Sequence, residues 1–249
     1  MDTPHSPEAD QTVAAALDLG IDFIDTARDY EGSEFLLGRV NRERGLAEAH
    51  LASKTFKRSG SGAQWEVDRS LSVLGVESLT LYQLHDISTP EAWDEVMRVD
   101  GALEGLEAAR YRELIRYIGL SSHSEEILRK AILSKEFDTV MIDYSAFNTS
   151  TAPLVDLAAE HDIGVIVMRP LGGSGRTSTM RGMLESGTAG ILTPENLLRY
   201  VLSNPGVSVA IPGARYPSRI VQNVSTASNF QPMTAREKAA LEAAARELY

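Results

Sequence analysis

The sequence has no cysteine among its 249 residues, which excludes disulfides, thiolate metal sites, a cysteine nucleophile and an iron–sulfur cluster held by this chain. No apolar run approaches the roughly 20 residues of a membrane span, and the start of the chain lacks the basic and apolar segments of a signal peptide. A formal net charge of -11 argues against a general binder of nucleic acid or anionic membranes. These absences predict a cytoplasmic protein with neither a nucleic-acid nor a membrane partner.

The sequence does contain a regular alternation of short apolar runs with helical patterns. Hydrophobic residues make up 43% of the chain, enough for a sizeable core. Continuous apolar runs with helices between them are typical of parallel strands buried on both faces. We predict seven such strands, at 21–26, 50–54, 79–85, 116–121, 139–144, 164–168 and 207–211.

Helix signals separate these strands. Ser6 before a proline, Ser124, and Thr193 before a proline each predict a helix start, and Thr234 with Glu237 forms a capping box for a final helix. The stretch 171–178 is rich in glycine, serine and threonine, and it predicts a mobile loop between a strand and a helix rather than a domain boundary. We therefore expect a single domain spanning residues 1–249.

The alternation of strands and helices over about 250 residues is typical of an α/β fold of the TIM (β/α)8 type. Such a barrel needs one strand more than the seven that the sequence predicts, and a helix start at Ser6 leaves no room for a strand before it. We therefore expect a barrel that lacks its N-terminal first strand. Either an N-terminal segment was lost from this chain, or the barrel has an open seam.

Polar side chains that can handle a proton close three successive apolar runs. Asp25 and Tyr30 follow the first run, Lys54 ends the second, and His85 ends the third. Each of them alone could merely end a strand. The strands of a parallel barrel, however, deliver their C-terminal ends to one face, where such enzymes carry out catalysis. A carboxylate, a phenol, an amine and an imidazole on that face predict a site that transfers a proton.

A metal-dependent hydrolase is a rival interpretation, because His85-Asp86 and His123 also follow predicted strands. Metal sites usually need three or more converging ligands. The remaining histidines lie away from the C-terminal strand ends, so the sequence predicts no metal site.

Short motifs follow one another in a fixed order from about Ala14 to about Asn223. None is distinctive alone, whereas the ordered set is highly specific. The motifs are GIDFIDTA at 20–27 with Tyr30, GSE at 32–34, LG at 37–38, SKT at 53–55, RSL at 69–71, LG at 74–75, LH at 84–85, IGLS at 118–121, RPLGG at 169–173 and IPGAR at 211–215. In this order they resemble the aldo-keto reductase superfamily.

The resemblance implies a (β/α)8 barrel whose usual activity is the reduction of aldehydes or ketones by NADPH. The family's catalytic residues fall on Asp25, Tyr30, Lys54 and His85. A phenol, with a reference pKa of about 10, is a weak acid unless its anion is stabilised. Lys54 beside Tyr30 would stabilise the phenolate, and Asp25 would keep Lys54 charged and oriented. His85 would hydrogen-bond the carbonyl oxygen of a small-molecule substrate, and Tyr30 would donate the proton.

The resemblance also implies NADP as the cofactor, with NAD as the alternative. Ser121 and Ser122 would hold the nicotinamide carboxamide. The glycine-rich stretch that follows the predicted strand at 164–168 would lie across the pyrophosphate. The adenosine end would bind after the last strand, where two arginines could clamp a 2′-phosphate. The further residues assigned in this way are Pro170, Leu171, Gly172, Gly173, Gly213, Arg215, Ser218, Arg219, Gln222 and Asn223.

Several positions depart from the family's pattern. Met141 stands where a glutamine commonly holds the carboxamide, and Met168 stands where an aromatic residue often stacks on the nicotinamide. Some relatives use lysine and serine for the 2′-phosphate where this chain has glycine and alanine. Arg215 and Arg219 are then the phosphate ligands, unless they are ordinary surface charges near a helix start.

A non-catalytic or truncated nicotinamide-binding protein of the same family is the alternative function. The complete set of catalytic residues favours an enzyme, whereas a missing first strand would remove one wall of the pocket and favour an inactive chain. The sequence predicts neither the physiological substrate nor the oligomeric state.

Overall fold

The computed structural model describes residues 7–46 and 48–248. Within these ranges, seven strands pair in parallel, in the order in which they occur along the chain. Parallel pairing follows from the alternation of strands with crossover helices, which return the chain to the same end of the sheet. The strands are β1 (Phe23–Asp25), β2 (His50–Thr55), β3 (Leu79–Leu84), β4 (Ile115–Ser121), β5 (Thr139–Asp143), β6 (Gly164–Met168) and β7 (Val209–Ala210). The predicted α/β class and the seven strands are confirmed.

The helices pack against the outer face of the sheet. In the described ranges they are α1 (Pro7–Asp18), α2 (Ser33–Arg44), α3 (Gly60–Leu74), α4 (Pro90–Met97), α5 (Ala102–Tyr111), α6 (Glu125–Ser134), α7 (Ala152–Glu160), α8 (Gly173–Glu185), α9 (Pro194–Leu202), α10 (Pro217–Ser228) and α11 (Ala235–Glu247). None of these helices is long and apolar enough to cross a membrane.

Three predicted helix starts have the expected caps. The side chain of Ser124 accepts the Ile127 N–H at the start of α6, and Thr193 accepts the Asn196 N–H at the start of α9. Both halves of the capping box are present at the start of α11. Each cap satisfies a backbone N–H that has no partner within its helix. Ser6, the other predicted cap, lies outside the described residues.

The inner face of the sheet encloses a small apolar interior. Side chains alternate between the two faces of a strand, so every second residue points inward. Buried side chains from β2, β3, β5 and β6 form one cluster, against which Phe23 of β1 and Val209 of β7 both pack. Because both edge strands reach the same cluster, the sheet is curved into a nearly closed barrel. The predicted TIM-type architecture is thus confirmed.

The barrel has an open seam between β1 and β7. β1 has three residues and β7 has two, and the described parts of the chain contain no strand between them. Next to these strands α1 packs against α10, and Thr12 Oγ1, which donates to the Glu8 carbonyl oxygen at 2.6 Å, also lies 3.1 Å from the carbonyl oxygen of Arg215. Contacts between helices thus hold the two edges of the sheet together where strand pairing does not.

Two details of the predicted chain path are wrong. The stretch 171–178 is not a loop, because α8 begins at Gly173. Its serine, threonine and glycine residues have low helix propensity, but Met180 is buried in the main core, and tertiary packing overrides propensity. The strands predicted at 21–26 and 207–211 are also shorter than expected, at three and two residues, because each lies at an edge and pairs on one side only.

Candidate active site

Asp25, Lys54 and Gln83 lie on the inner face of the barrel near the C-terminal ends of β1, β2 and β3. Each stands two residues beyond an apolar side chain of the interior cluster, and the period of a strand therefore turns all three inward. Lys54 and Gln83 are also register partners on neighbouring strands. The apolar interior thus lies directly beneath these three polar side chains, toward the N-terminal ends of the strands.

Lys54 is fully buried and held by two acceptors. Its Nζ donates to Asp25 Oδ2 at 2.6 Å and to the carbonyl oxygen of Thr26 at 2.7 Å. Gln83 Nε2 donates to the other carboxylate oxygen, Asp25 Oδ1, at 3.2 Å. A buried charge is costly unless it is paired and hydrogen-bonded. The carboxylate and the carbonyl oxygen therefore satisfy the buried amine of Lys54 and hold its side chain in one orientation.

Tyr30 lies against this ammonium group. The turn after β1 brings it there, with the Tyr30 N–H donating to the Ala27 carbonyl oxygen at 3.1 Å. The Nζ of Lys54 lies over the phenol ring, 4.8 Å from the ring centroid, which is within the range of a cation–π contact. Tyr30 is only partly buried, so part of its side chain remains accessible.

His85 completes the group, on the other side of Tyr30. It follows β3, and its N–H donates to the Thr55 carbonyl oxygen at 2.9 Å. Its ring meets the Tyr30 ring edge to face, with centroids 5.7 Å apart and an interplanar angle of 80°. Phe56 stacks on the same imidazole at 4.1 Å between centroids and an interplanar angle of 31°. The imidazole thus contacts two aromatic rings.

His85 is neutral at neutral pH. Burial is the main cause that lowers its pKa to about 4, and the positive charge of Lys54 adds to the shift. Nδ1 of His85 is buried and has no hydrogen-bond partner within the described part of the chain. A neutral imidazole has one N–H donor and one acceptor nitrogen, so this ring can donate a hydrogen bond to a ligand without carrying a charge.

Asp25, Tyr30, Lys54 and His85, which the sequence predicted to share one face of the barrel, are brought together at one rim. Sequence reasoning missed Gln83 and Phe56. A signal for Gln83 was present, because it is a polar residue inside the otherwise apolar end of β3 and is fully buried there. Phe56 gave no signal of its own, since its place beside His85 depends on how the loop after β2 folds.

The two serines assigned to the nicotinamide lie at the end of β4, on the same rim. Ser121 is buried, and its Oγ accepts the Asp86 N–H at 2.9 Å, while no residue within the described ranges takes its hydroxyl hydrogen. Ser122 Oγ accepts the Ser124 N–H at 3.0 Å and donates to the Ser124 carbonyl oxygen at 3.4 Å. Ser121 is therefore available as a donor, whereas Ser122 is engaged in its own loop. Met141, in the register position next to Ser121, belongs to the apolar interior.

The residues assigned to the pyrophosphate run from the segment after β6 to Gly173, the first residue of α8. Gly172 has φ 92° and Gly173 has φ 84°, a region that favours glycine. A Cβ on Gly172 would also lie 2.6 Å from a carbon of the Phe147 ring, so no larger residue fits there. Pro170 is buried and Leu171 is partly buried just before this turn. The segment therefore ends in the N-terminus of α8, whose backbone N–H groups suit an anion.

The residues assigned to the adenosine end lie around the start of α10. Gly213, Arg215, Ser218 and Gln222 are exposed, and Asn223 is partly buried. The remaining one, Arg219, donates from Nη1 to Gln222 Oε1 at 3.0 Å. Ser218, Arg219, Gln222 and Asn223 lie in the first turns of α10, and Gly213 and Arg215 lie in the segment before it.

No group of three or more histidine, aspartate or glutamate side chains that could hold a metal ion occurs among residues 7–46 and 48–248. His85, Asp86 and His123 are close enough to influence one another electrostatically, but they do not form such a group.

Comparison with known proteins gives a consistent result. The model of the Aldo/keto reductase family matches residues 2–190. A Bacillus subtilis protein named uncharacterized oxidoreductase YqkF is 24% identical over 91% of this chain and 84% of its own length. The chain spans between 53% and 57% of the length of several other curated aldo-keto reductases that it matches.

Solved structures are similar over nearly the whole chain. The holo form of aldo-keto reductase AKR11C1 from Bacillus halodurans has a TM-score of 0.77 at 23% identity, covering 95% of this chain and 86% of that one. An aldo-keto reductase from Klebsiella pneumoniae, solved in complex with NADPH, has a TM-score of 0.75 at 23% identity, covering 94% and 83%. At such identity the similarity concerns the fold.

Proposed function

Because the chain belongs to the aldo/keto reductase family, a family of oxidoreductases, we propose that it reduces an aldehyde or ketone to an alcohol at the expense of NADPH, with Tyr30 as the proton donor. The observation that carries this proposal is the position of the Lys54 ammonium group. It is bound to Asp25 at 2.6 Å and lies 4.8 Å from the centre of the Tyr30 ring.

The proton step follows from this arrangement. Reduction of a carbonyl carbon leaves an alkoxide, which must take a proton in or near the transition state. Tyr30 is the phenol that supplies it, and the ammonium group of Lys54 favours the phenolate that remains. Asp25 and Gln83 act indirectly: Asp25 binds the ammonium group, and Gln83 holds the carboxylate of Asp25 in place. Positioned acid catalysis of this kind typically contributes about 10²–10⁴-fold.

His85 acts on the substrate oxygen. A pKa of about 4 keeps its imidazole neutral at neutral pH, so it donates a hydrogen bond instead of adding a second positive charge next to Lys54. The carbonyl oxygen would then lie between the His85 ring and the Tyr30 hydroxyl. Two donors at that point orient the carbonyl and stabilise the charge that develops on its oxygen.

The residues at the other strand ends fit a dinucleotide. When bound, NADPH supplies the hydride for the carbonyl carbon. Ser121 has a hydroxyl hydrogen for the nicotinamide carboxamide, and the N-terminus of α8 suits the pyrophosphate. Arg215, Ser218 and Arg219 suit a 2′-phosphate at the start of α10, which favours NADP over NAD.

Oxidation of NADPH with a panel of aromatic aldehydes, dicarbonyls and simple ketones tests the proposal. We expect turnover by the wild type, and a rate at least about 100-fold lower in Tyr30→Phe. Tyr111→Phe is the matched control, because Tyr111 is a fully exposed tyrosine on α5 and should leave the rate unchanged. Equal rates in wild type and Tyr30→Phe would exclude Tyr30 as the donor.

The same experiment separates the enzyme from the alternative of a non-catalytic nicotinamide-binding protein. Such a protein would bind NADPH, and quench its own fluorescence on doing so, while reducing none of the carbonyls. A cytoplasmic location and a single domain over the whole chain stay predictions from the sequence.

A further inference from the structure

The side chain of Arg58 reaches from the loop after β2 to the loop after β3. Its Nη1 donates to the carbonyl oxygen of His85 and its Nη2 to that of Asp86, each at 3.0 Å. The Arg58 carbonyl oxygen in turn accepts the N–H of Ala102 at 2.9 Å. A planar guanidinium can hold two acceptors at once in a fixed geometry, which a lysine cannot do.

This guanidinium is held by carbonyl oxygens instead of a carboxylate. Among the described residues it forms no ion pair within 4.0 Å, and burial lowers its pKa from the usual value. Partial burial of a cation without a close carboxylate costs free energy, so its two hydrogen bonds must offset that cost. Arg58 is therefore not simply a solvent-exposed surface charge, and its two hydrogen bonds indicate a structural role.

The turn that Arg58 holds is a strained one. Asp86 has φ 53°, in the left-handed region that non-glycine residues seldom adopt. Its N–H donates to Ser121 Oγ at 2.9 Å, and Ser88 Oγ donates to its carboxylate. A backbone in this region persists only where its surroundings determine it, and such positions cluster at functional sites.

Arg58 also belongs to the stack that contains His85. Its guanidinium carbon lies 5.7 Å from the centre of the Phe56 ring, and Phe56 stacks on His85. His85 in turn meets Tyr30 edge to face. One arginine thus contacts both the backbone of His85 and the aromatic ring that supports its imidazole.

We propose that Arg58 is a positioning residue for His85: by holding the carbonyl oxygens of His85 and Asp86, it fixes the turn from which the imidazole contacts Phe56 and Tyr30. Its effect on turnover rests on the proposed carbonyl reduction. Its effect on the orientation and charge of the imidazole does not, and can be measured on a protein that turns over nothing.

Several charged groups face His85, and Arg58 adds to their effect. Lys54 on β2, Arg58 on the loop after β2 and His123 on the loop after β4 disfavour a protonated imidazole, whereas Asp86 favours it. The Tyr30 ring also faces the imidazole, edge to face. Removal of the Arg58 charge therefore raises the pKa of His85, and loosening of the turn, which admits water, acts in the same direction.

The test compares Arg58→Lys and Arg58→Met with the wild type. NMR follows the titration of the His85 ring protons, which His85→Asn identifies by their disappearance among five histidines. Steady-state rates with NADPH and a carbonyl substrate are measured on the same samples. Arg69→Met is the matched control, because Arg69 also stacks on an aromatic ring, that of Trp65, but lies exposed on α3 away from the rim.

Arg58→Met should raise the midpoint of the His85 titration above about 4 and lower kcat by roughly 10- to 100-fold, because a small misplacement of an acting group has effects of this size. Arg58→Lys should keep the midpoint close to the wild-type value, since the charge stays, while kcat still falls several-fold because the bidentate contact is lost. If Arg58→Met does not fold, Arg58→Lys decides the question. A lower kcat and broader His85 signals support the inference, and wild-type values of both contradict it.

An unchanged titration and an unchanged kcat in both variants would overturn the inference. If the wild type reduces no carbonyl, the proposed function fails and the NMR titration decides alone. Shifted or broadened His85 ring signals in Arg58→Lys, which keeps the charge, with no change in Arg69→Met then still support a positioning role.

Discussion

Two parts of the same rim differ in how far they are organised before any ligand binds. At the β1–β3 rim, which comprises Asp25, Tyr30, Lys54 and His85, buried and partly buried side chains hold one another by hydrogen bonds and ring contacts. At the β6–α10 rim, which comprises residues 170–173 and 213–223, the backbone is shaped by glycines and helix starts, while most side chains are exposed. The first has a geometry that is fixed in advance, and the second offers donors that a ligand would order.

The difference has a physical cause. A reaction that needs an acid in a fixed place gains from groups whose positions are set in advance, because reorganisation then costs nothing during the reaction. A dinucleotide instead carries negatively charged phosphates, and arginine side chains with solvent access can reorient to bind them. Substitutions at the β1–β3 rim should therefore change turnover and stability, and those at the β6–α10 rim should change affinity.

The largest effect is expected from Lys54→Met. Turnover should fall by about 10²–10⁴-fold, because the phenolate of Tyr30 loses its cation. Stability should fall by about 3 kcal/mol or more, since Asp25 is left buried without its partner. Rates and urea midpoints measure the two effects.

Lys130→Met is the control for this substitution. Lys130 pairs with Glu126 at 3.0 Å on the exposed face of α6, and such a pair contributes at most about 1 kcal/mol. The comparison of the two rims fails if Lys54→Met behaves like Lys130→Met.

The next effect concerns pH. The pKa of His85 is about 4 in the folded protein, against an ordinary value near 6.5, so between these pH values the unfolded state takes up a proton that the folded state does not. Stability should therefore fall as the pH falls from about 6.5 to 4, by about 2–3 kcal/mol after allowance for partial exposure of the ring. Urea midpoints across this range measure the loss.

In His85→Gln this part of the pH dependence should vanish, whereas in His50→Gln it should remain, because His50 is exposed at the start of β2. Identical pH dependence in wild type and His85→Gln would mean that the imidazole at the β1–β3 rim is not held neutral.

A smaller effect is expected from Gln83→Leu. The substitution removes the donor to Asp25 Oδ1 while keeping an apolar side chain of similar length. A hydrogen bond to a charged group contributes about 1.5–3 kcal/mol, so we expect kcat to fall by roughly 10-fold with little change in KM. A change in KM alone would contradict a role for Gln83 in orienting the carboxylate.

The smallest effect is expected at the β6–α10 rim. Arg219→Ala should weaken NADPH binding by roughly 5-fold, as for the loss of one exposed charge contact, and leave kcat at saturation unchanged. NADH binding should not change, because NADH lacks the 2′-phosphate. Arg129→Ala, on the exposed face of α6, serves as the control. Equal losses for NADPH and NADH would mean that Arg219 does not bind that phosphate.

The same contrast explains what could be predicted from the sequence. The residues at the β1–β3 rim were predictable because strand period and parallel topology alone carry Asp25, Lys54 and His85 to one end of the barrel. The start of α8 was not, because it depends on the burial of Met180 in a distant core. The partner of Arg219 could not be predicted either, because a long, partly exposed side chain has no single position that local sequence imposes.

Gln83 and Arg58 differ in whether a signal for their role was present in the sequence. A polar residue inside an apolar strand was a usable signal for Gln83. The contact of Arg58 with two carbonyl oxygens could not be predicted from the sequence. It joins two loops, and the distance between them is defined only in the folded chain.

The central claim is that Lys54 acts through Tyr30, and a double-mutant cycle tests it most directly. Single-turnover rates of carbonyl reduction by NADPH-loaded protein are measured for the wild type, Lys54→Met, Tyr30→Phe and the double variant. Groups that act as one unit give strongly non-additive effects, so we predict that the double variant is no slower than Tyr30→Phe alone. Losses that multiply, with the double variant slower by the product of the two single effects, would contradict the account.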